Sequence, residues 1–240
     1  MKTPIMTIKA IFVTSLVLLF AIAASVHALT FEEVPFEFED YDVTTLDWAD
    51  SADDGFTDST ALGFSVTIGG AAYSYFDMCS DGYIELLTDA GDVPTGWGWG
   101  SISDLMSTDP SATYLLAAYG DLSSAVNGYY GYKLFSNRAV FYYDTETFYD
   151  EGWDLLNNFE VVLYNDGSAQ WNYNYADYEY DEEFYWDLFS GLYLGNTETL
   201  LELTSDNIPE QKSYLVPEPA TLFLLGLGGL ALFRKRRQES

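Results

Sequence analysis

The chain has 240 residues, and its 38 acidic side chains outnumber nine basic ones, which gives a formal net charge of −29 at pH 7. A protein this acidic is a poor partner for nucleic acid or anionic lipid surfaces. The single cysteine, Cys79, excludes an intramolecular disulfide. Its position on a predicted strand favours a small buried side chain over a nucleophile.

The first 28 residues have the three zones of a secretory signal peptide. Lys2 and Lys9 supply a positive n-region, and a nearly uninterrupted apolar run follows at 11–24. Val26-His27-Ala28 then provides a cleavage site. Because the run is short for a membrane span, cleavage after Ala28 is favoured over an uncleaved anchor. His27 is the only histidine, so the mature protein would lack histidine-based triads and histidine-ligated metals.

An acidic lead-in follows at 29–60, where aromatic side chains are interspersed among Asp and Glu. It is either an edge strand followed by a loop or a partly disordered segment. Within it, four carboxylates lie close together: Asp47, Asp50, Asp53 and Asp54. Ca²⁺ binds six to eight oxygen ligands, so these residues are a candidate calcium site, although their spacing is not that of an EF-hand. A solvated acidic loop is the favoured alternative.

Residues 61–210 carry dense strand and turn signals. Residues 62–68 alternate between apolar and polar side chains before the turn signal Gly69-Gly70, and residues 159–164 lead into Asn165-Asp166-Gly167. Ser136-Asn137 is a predicted two-residue hairpin turn between strands at 128–135 and 138–143. Residues 171–175 alternate rings with asparagines, and here we favour rings in the core. No helical stripe of apolar residues is present. The pattern predicts an all-β fold, an antiparallel β-sandwich or jelly-roll-like domain, flanked by the signal helix and a C-terminal transmembrane helix.

Two kinds of residue in this region are candidates for function. Trp97 and Trp99 lie in a glycine-rich loop, where exposed rings would stack on sugars, although burial in the core fits them equally well. Paired carboxylates are frequent, and a glycosidase needs two of them across a cleft. The sequence selects no such pair from the many available.

The C-terminus mirrors the N-terminus. Val216-Pro217-Glu218-Pro219 precedes an apolar stretch at 220–233, and Arg234-Lys235-Arg236-Arg237 follows it. Fourteen helical residues span about 21 Å, which is less than the roughly 30 Å hydrocarbon core. The basic cluster would keep the extreme C-terminus in the cytoplasm.

These residues resemble the PEP-CTERM sorting signal of Gram-negative bacteria, because the motif, the short glycine-bearing helix and the basic cluster stand in the expected order. The resemblance implies recognition by an exosortase, an integral membrane enzyme of the cysteine peptidase or transpeptidase type. Proteins with this tag are exported by bacteria that make exopolysaccharide. The chain would be the enzyme's substrate.

A second resemblance covers the middle of the chain and is carried by three stretches: Gly63-Phe64, Ser80-Asp81-Gly82-Tyr83-Ile84, and residues 158–167 followed by Asn174-Tyr175. They are similar to the NIDO module of nidogens and surface adhesins. The resemblance implies adhesion or matrix association and brings no catalytic residues.

We therefore expect a signal peptide at 1–28, an acidic lead-in at 29–60, a β-sandwich at 61–210 and a sorting signal at 216–237 with its transmembrane helix at 220–233. The protein would be anchored in the inner membrane before sorting and would then reach the cell surface or extracellular matrix. We predict a non-enzymatic role in association with exopolysaccharide or biofilm matrix. The alternative is a secreted hydrolase that acts on polysaccharide through paired carboxylates.

Overall fold

The computed structural model describes residues 31–38, 44–45, 55–91, 105, 111–120, 122–123, 128–149, 152–176, 188–194, 197–203 and 211–216. The chain divides into two units, one formed by Thr30–Val216 and the other by the terminal segments Met1–Leu29 and Pro217–Ser240. All described residues belong to the first unit. The predicted signal helix and C-terminal helix fall outside them, and no helix in the described part of the chain is long and apolar enough to cross a membrane.

The described residues form fourteen strands: β1 Glu32–Val34, β2 Thr44–Thr45, β3 Thr60–Ile68, β4 Ala71–Cys79, β5 Tyr83–Leu87, β6 Thr113–Tyr119, β7 Leu122–Ser123, β8 Tyr129–Leu134, β9 Arg138–Tyr149, β10 Gly152–Tyr164, β11 Ala169–Ala176, β12 Leu188–Leu194, β13 Thr197–Leu203 and β14 Lys212–Val216. The larger sheet has the order β1-β14-β11-β10-β9-β8-β2, with β7 also paired to β9. The smaller sheet has the order β13-β12-β6-β5-β4-β3. The paired strands are antiparallel, and the two sheets pack as a sandwich, which confirms the predicted fold class.

The core between the sheets is built from rings that alternate along β9, β10 and β11. Phe141, Tyr143, Phe159, Trp171 and Tyr173 are buried on the inner face. Rings also cross the gap, since Phe76 of β4 lies 4.9 Å from Phe141, measured between ring centroids. The prediction that Trp171 and Tyr173 belong to the core is confirmed, while Tyr175 is only half-buried.

Three of these rings donate hydrogen bonds to main-chain oxygens of the smaller sheet. The Trp171 Nε1 group donates to the Leu116 carbonyl at 2.8 Å. The Tyr173 hydroxyl donates to the Ala117 carbonyl at 2.7 Å, and the Tyr143 hydroxyl donates to the Tyr83 carbonyl at 3.0 Å. Buried polar groups are stable only when they are paired. These bonds therefore fix the alignment of the two sheets.

Most local predictions are confirmed. The Gly69-Gly70 turn joins β3 to β4 with positive φ at both glycines, the Ser136-Asn137 turn joins β8 to β9, and the 165–167 turn joins β10 to β11. Residues 32–34 form an edge strand, in line with one of the two alternatives for the lead-in.

Strands β12, β13 and β14 were not predicted. β14 pairs with β11 on one side and β1 on the other. Its five residues carry no turn signal or long alternation, so only its distant partners explain why it is a strand.

The turn at Ser80-Asp81-Gly82 is built into the core. The Gly82 carbonyl accepts from the amides of Ala117 and Ala118, and the Asp81 carbonyl accepts from the Gly120 amide. Gly82 has φ +78°, and a Cβ there would collide with the Ala118 carbonyl. Only glycine fits this position, both in conformation and in space.

We predict that Gly82→Ala lowers the free energy of unfolding by about 3 kcal/mol or more, because it combines a disfavoured φ with a collision against main chain. Gly70→Ala is the matched control, since Gly70 also has positive φ but open space around it. It should cost only about 1–2 kcal/mol. Urea denaturation of both variants measures the difference, and equal losses would contradict the close approach at Gly82.

Candidate functional site

The outer face of the larger sheet carries a polar surface that faces away from the smaller sheet. Because Trp171 and Tyr173 point inward, the residues that alternate with them on neighbouring strands point outward. We call these outward residues the polar row: Tyr129, Tyr142, Asp144, Asn158, Glu160, Gln170, Asn172 and Asn174. They lie on β8, β9, β10 and β11.

Asn158 is the centre of one half of the row. Its side-chain amide donates to the Tyr142 hydroxyl at 2.6 Å and also bonds the Asp144 carboxylate. Its carbonyl accepts from the Asn174 amide at 3.1 Å. Asn174 reaches it because a β-bulge gives β11 one extra residue opposite Asn158 and Phe159.

The other half repeats this arrangement. The Gln170 amide donates to the Asn172 carbonyl at 2.8 Å, and the Asn172 amide donates to the Glu160 carboxylate at 2.7 Å. Each half therefore runs from amide to amide to carboxylate. The side chains hold one another in fixed positions, with Glu160 only 1 % exposed.

An aromatic pair borders the row. Tyr129 stacks on Tyr142, with 5.4 Å between ring centroids, and Tyr129 is 41 % exposed. Gly131 is the residue directly opposite Tyr142. Tyr129 itself lies directly opposite Asp144. An exposed ring therefore lies beside a carboxylate that accepts a hydrogen bond from the Asn158 side-chain amide.

The stretch after β1 crosses part of this face. The Glu37 amide donates to the Ser213 hydroxyl of β14 at 3.0 Å, and the Phe38 ring lies 5.9 Å from the Tyr142 ring of β9. Strands β11 and β10 lie between β14 and β9 in the sheet. Residues 35–38 therefore pass over the polar row, which accounts for part of its burial.

Burial shifts the pKa values of two ionisable side chains in the row, Asp144 and Tyr142. It raises the pKa of the Asp144 carboxyl, and the hydrogen bond from Asn158 opposes this shift. Burial and a hydrogen bond with Tyr129 raise the pKa of Tyr142, so its hydroxyl is neutral at physiological pH. The row thus offers neutral amides, a neutral phenol, two carboxyl groups and one exposed ring.

The comparisons with known proteins agree with this architecture. A family model described as NIDO related matches residues 28–183, about two thirds of the chain. The chain belongs to the NIDO-related family. The match includes β1 to β11 and thus the whole polar row, while β12, β13 and β14 lie beyond it.

A second model, the PEP-CTERM protein-sorting motif, matches residues 215–237. The motif marks this NIDO-related protein as one that is exported and sorted to the cell surface by an exosortase. Both resemblances seen in the sequence are thereby confirmed. No curated protein and no solved structure matches the chain.

The NIDO-like stretch at Ser80–Ile84 is structural in this protein. Besides the Gly82 contacts, the Ser80 hydroxyl accepts from the Gly55 amide at 3.0 Å. Cys79 is fully buried, as predicted. Burial raises the pKa of its thiol, and the charge of the nearby Asp81 carboxylate raises it further. A neutral, enclosed thiol is a poor nucleophile.

Most residues predicted to form sites lie outside the described residues: Pro217, Glu218 and Pro219 of the sorting motif, Arg234, Lys235, Arg236 and Arg237 of the basic cluster, the calcium candidates Asp47, Asp50, Asp53 and Asp54, and the loop residues Trp97 and Trp99. Val216 is described, and it ends β14 with 1 % exposure. In the described part of the chain, no group of three or more Cys, Asp or Glu side chains could hold a metal ion.

The polar row was not predicted from the sequence. The alternation at 171–175 predicts buried rings, and it also places Asn172 and Asn174 between those rings on the same strand. Asparagine is unfavourable in strands, so its repetition there was the available signal.

We predict that Asp144→Asn raises the melting temperature at pH 7 by about 1–3 °C. The raised pKa means that the folded state binds the proton more tightly than the unfolded state does. Burial of the charged carboxylate therefore lowers stability above the folded pKa, and this cost disappears as the pH falls through it. The gain from the variant should vanish in acid.

Asp58→Asn is the control, since it removes the same charge from an exposed residue. Melting curves from pH 3 to pH 7 compare the two. If both variants gave the same gain at every pH, general charge repulsion would explain the effect and burial at Asp144 would not.

Proposed function

We propose that this exported protein is a non-enzymatic component of the cell surface or extracellular matrix that binds a neutral polysaccharide through the solvent-accessible end of the polar row, formed by Tyr129, Asp144 and Asn174. The observation that supports this most directly is the exposed Tyr129 ring beside the Asp144–Asn158–Asn174 hydrogen-bond chain. Sugars present vicinal hydroxyls along their edges and apolar C–H groups on their faces. Amide and carboxylate groups suit the first, and an exposed ring suits the second.

Charge limits the kind of polysaccharide. Between residues 29 and 216 there are three basic residues against 36 acidic ones, a formal charge of −33. Two of the three, Lys133 and Arg138, lie beside the Phe135 ring near the turn between β8 and β9, on the same face of the sheet as the row. An anionic polymer would be repelled by such a body, so the proposal is restricted to neutral chains.

The alternative, a polysaccharide hydrolase, has less support from the row. A glycosidase needs two carboxyl groups that both reach the substrate. Glu160 is 1 % exposed and already accepts a hydrogen bond from Asn172, so it is not available as the second carboxyl group beside Asp144. This arrangement suits binding better than bond cleavage.

The route to the surface follows from the two ends. We propose that the signal peptide is removed after Ala28, that residues 220–233 hold the chain in the inner membrane, and that Arg234–Arg237 stay in the cytoplasm. The exosortase then processes the tail.

We predict that Tyr129→Ala weakens binding to the neutral exopolysaccharide of the producing bacterium about three- to tenfold, the value of one aromatic contact. Leu134→Ala is the control, because Leu134 lies on the same strand with similar exposure, 37 %, and outside the row. Sedimentation of a protein of residues 29–216 with the polymer measures affinity. Equal binding by both variants would exclude the row, and release of reducing sugars would favour the hydrolase.

We also predict that the surface form lacks Arg234–Arg237 when the exosortase is present. The apolar stretch before them is too short for a comfortable span, as expected for a segment that is removed. Mass spectrometry of the C-terminal peptide checks this, with a strain that lacks the exosortase as control. An intact tail on most surface molecules would contradict it.

A further inference from the structure

The sorting motif overlaps the folded domain. The matched motif begins at residue 215, whereas β14 ends at Val216, so Leu215 and Val216 belong to both. No spacer separates the last strand from Pro217. Val216 is 1 % exposed and lies directly opposite Ala169 of β11.

β14 is held on both sides. Its five residues pair with residues 169–173 of β11, and Ser213, Tyr214 and Leu215 pair with β1. β1 is the outermost strand on this side of the larger sheet, and it comes from the other end of the chain. β14 therefore cannot leave the sheet while β1 is in place.

The segment around β1 adds side-chain contacts to this pairing. The Phe31 ring meets Trp171 at 4.9 Å and Tyr214 at 6.4 Å, measured between centroids. Lys212 forms an ion pair with Glu33, and the Glu37 amide donates to Ser213. We call residues 31–37 the latch, because their contacts keep β14 in the sheet.

We propose that the latch limits exosortase processing, because the C-terminal end of β14 must detach before the enzyme can bind the whole motif. Peptidases cleave chain that is locally unfolded, and a half-buried strand paired on two sides is not available to them. The enzyme and the sheet compete for Leu215 and Val216. Breaking the peptide bond is the enzyme's own chemistry, and the fold controls only how often the segment is free.

This inference rests on exosortase sorting and is independent of the polar row. When opening is fast compared with cleavage, the processing rate follows the fraction of molecules with β14 detached. A weaker latch should then speed processing, and a covalent closure of the latch should stop it.

The first test is Phe31→Ala in the full-length protein, expressed in the producing bacterium and followed by pulse-chase of tail removal. Loss of the two ring contacts should speed processing about two- to tenfold. Phe36→Ala is the matched control, since Phe36 lies in the same latch, is 39 % exposed and stacks on Phe38, and among the described residues its ring makes no contact with a ring of β14. It should leave the rate unchanged.

The second test closes the latch with a disulfide. Glu33→Cys with Tyr214→Cys places two cysteines at directly opposed positions of an antiparallel pair, a separation that disulfides tolerate. Both positions precede the matched motif. Processing of the oxidised protein should be at least about fivefold slower than that of the same variant kept reduced, which controls for the substitutions themselves.

The disulfide experiment is the decisive test of the latch, because Phe31→Ala can also speed processing by unfolding the whole domain. Slower processing of the oxidised form together with faster processing of Phe31→Ala supports the latch. Equal rates for the oxidised and reduced forms would overturn it and leave the sorting assignment intact. A wild-type tail that is never removed would overturn both.

Discussion

The hydrogen bonds from Trp171 and Tyr173 to the main chain of β6 are the contacts on which the sandwich depends. They need free carbonyls in the middle of a sheet, and a β-bulge supplies these where β6 meets β12 between Leu116 and Tyr119. The Ala117 carbonyl accepts from both Tyr173 and Ser190, and the neighbouring amides bond to Gly82. One irregularity in the smaller sheet thus binds the larger sheet and the Gly82 turn together.

The same constraint positions the outer face. Since Trp171 and Tyr173 must reach β6, the residue between them, Asn172, is forced outward, opposite Glu160 of β10. A shift of one residue in register would exchange the two faces and leave amides in the core and rings in solvent. The polar row is therefore a consequence of core packing. The folded core fixes which donors and acceptors face outward, so a ligand would find them pre-arranged and would pay little ordering entropy.

The features that could be predicted from the sequence are those that depend on residues close together in the chain. Hairpins at Gly69-Gly70 and Ser136-Asn137 depend on residues a few positions apart, and both are present. β14 depends on β1, about 180 residues away, and no local pattern reports such a pairing. The polar row could not be predicted for the same reason. Asp144, Asn158 and Asn174 come together only through the registers of three strands and one bulge. The sorting motif needed no fold to be recognised.

The contacts of the latch differ in how firmly they hold β14. The Lys212–Glu33 pair is exposed on both sides, so water screens it, and it holds β14 only weakly and less still at high salt. The backbone pairing between β1 and β14 covers only three residues of each strand. The Phe31 ring, in contrast, makes an edge contact with the buried Trp171 ring, whose indole N–H donates to the Leu116 carbonyl of β6. The N-terminal segment thus rests on the residue that aligns the two sheets, and the availability of the C-terminal motif depends on the packing of the core.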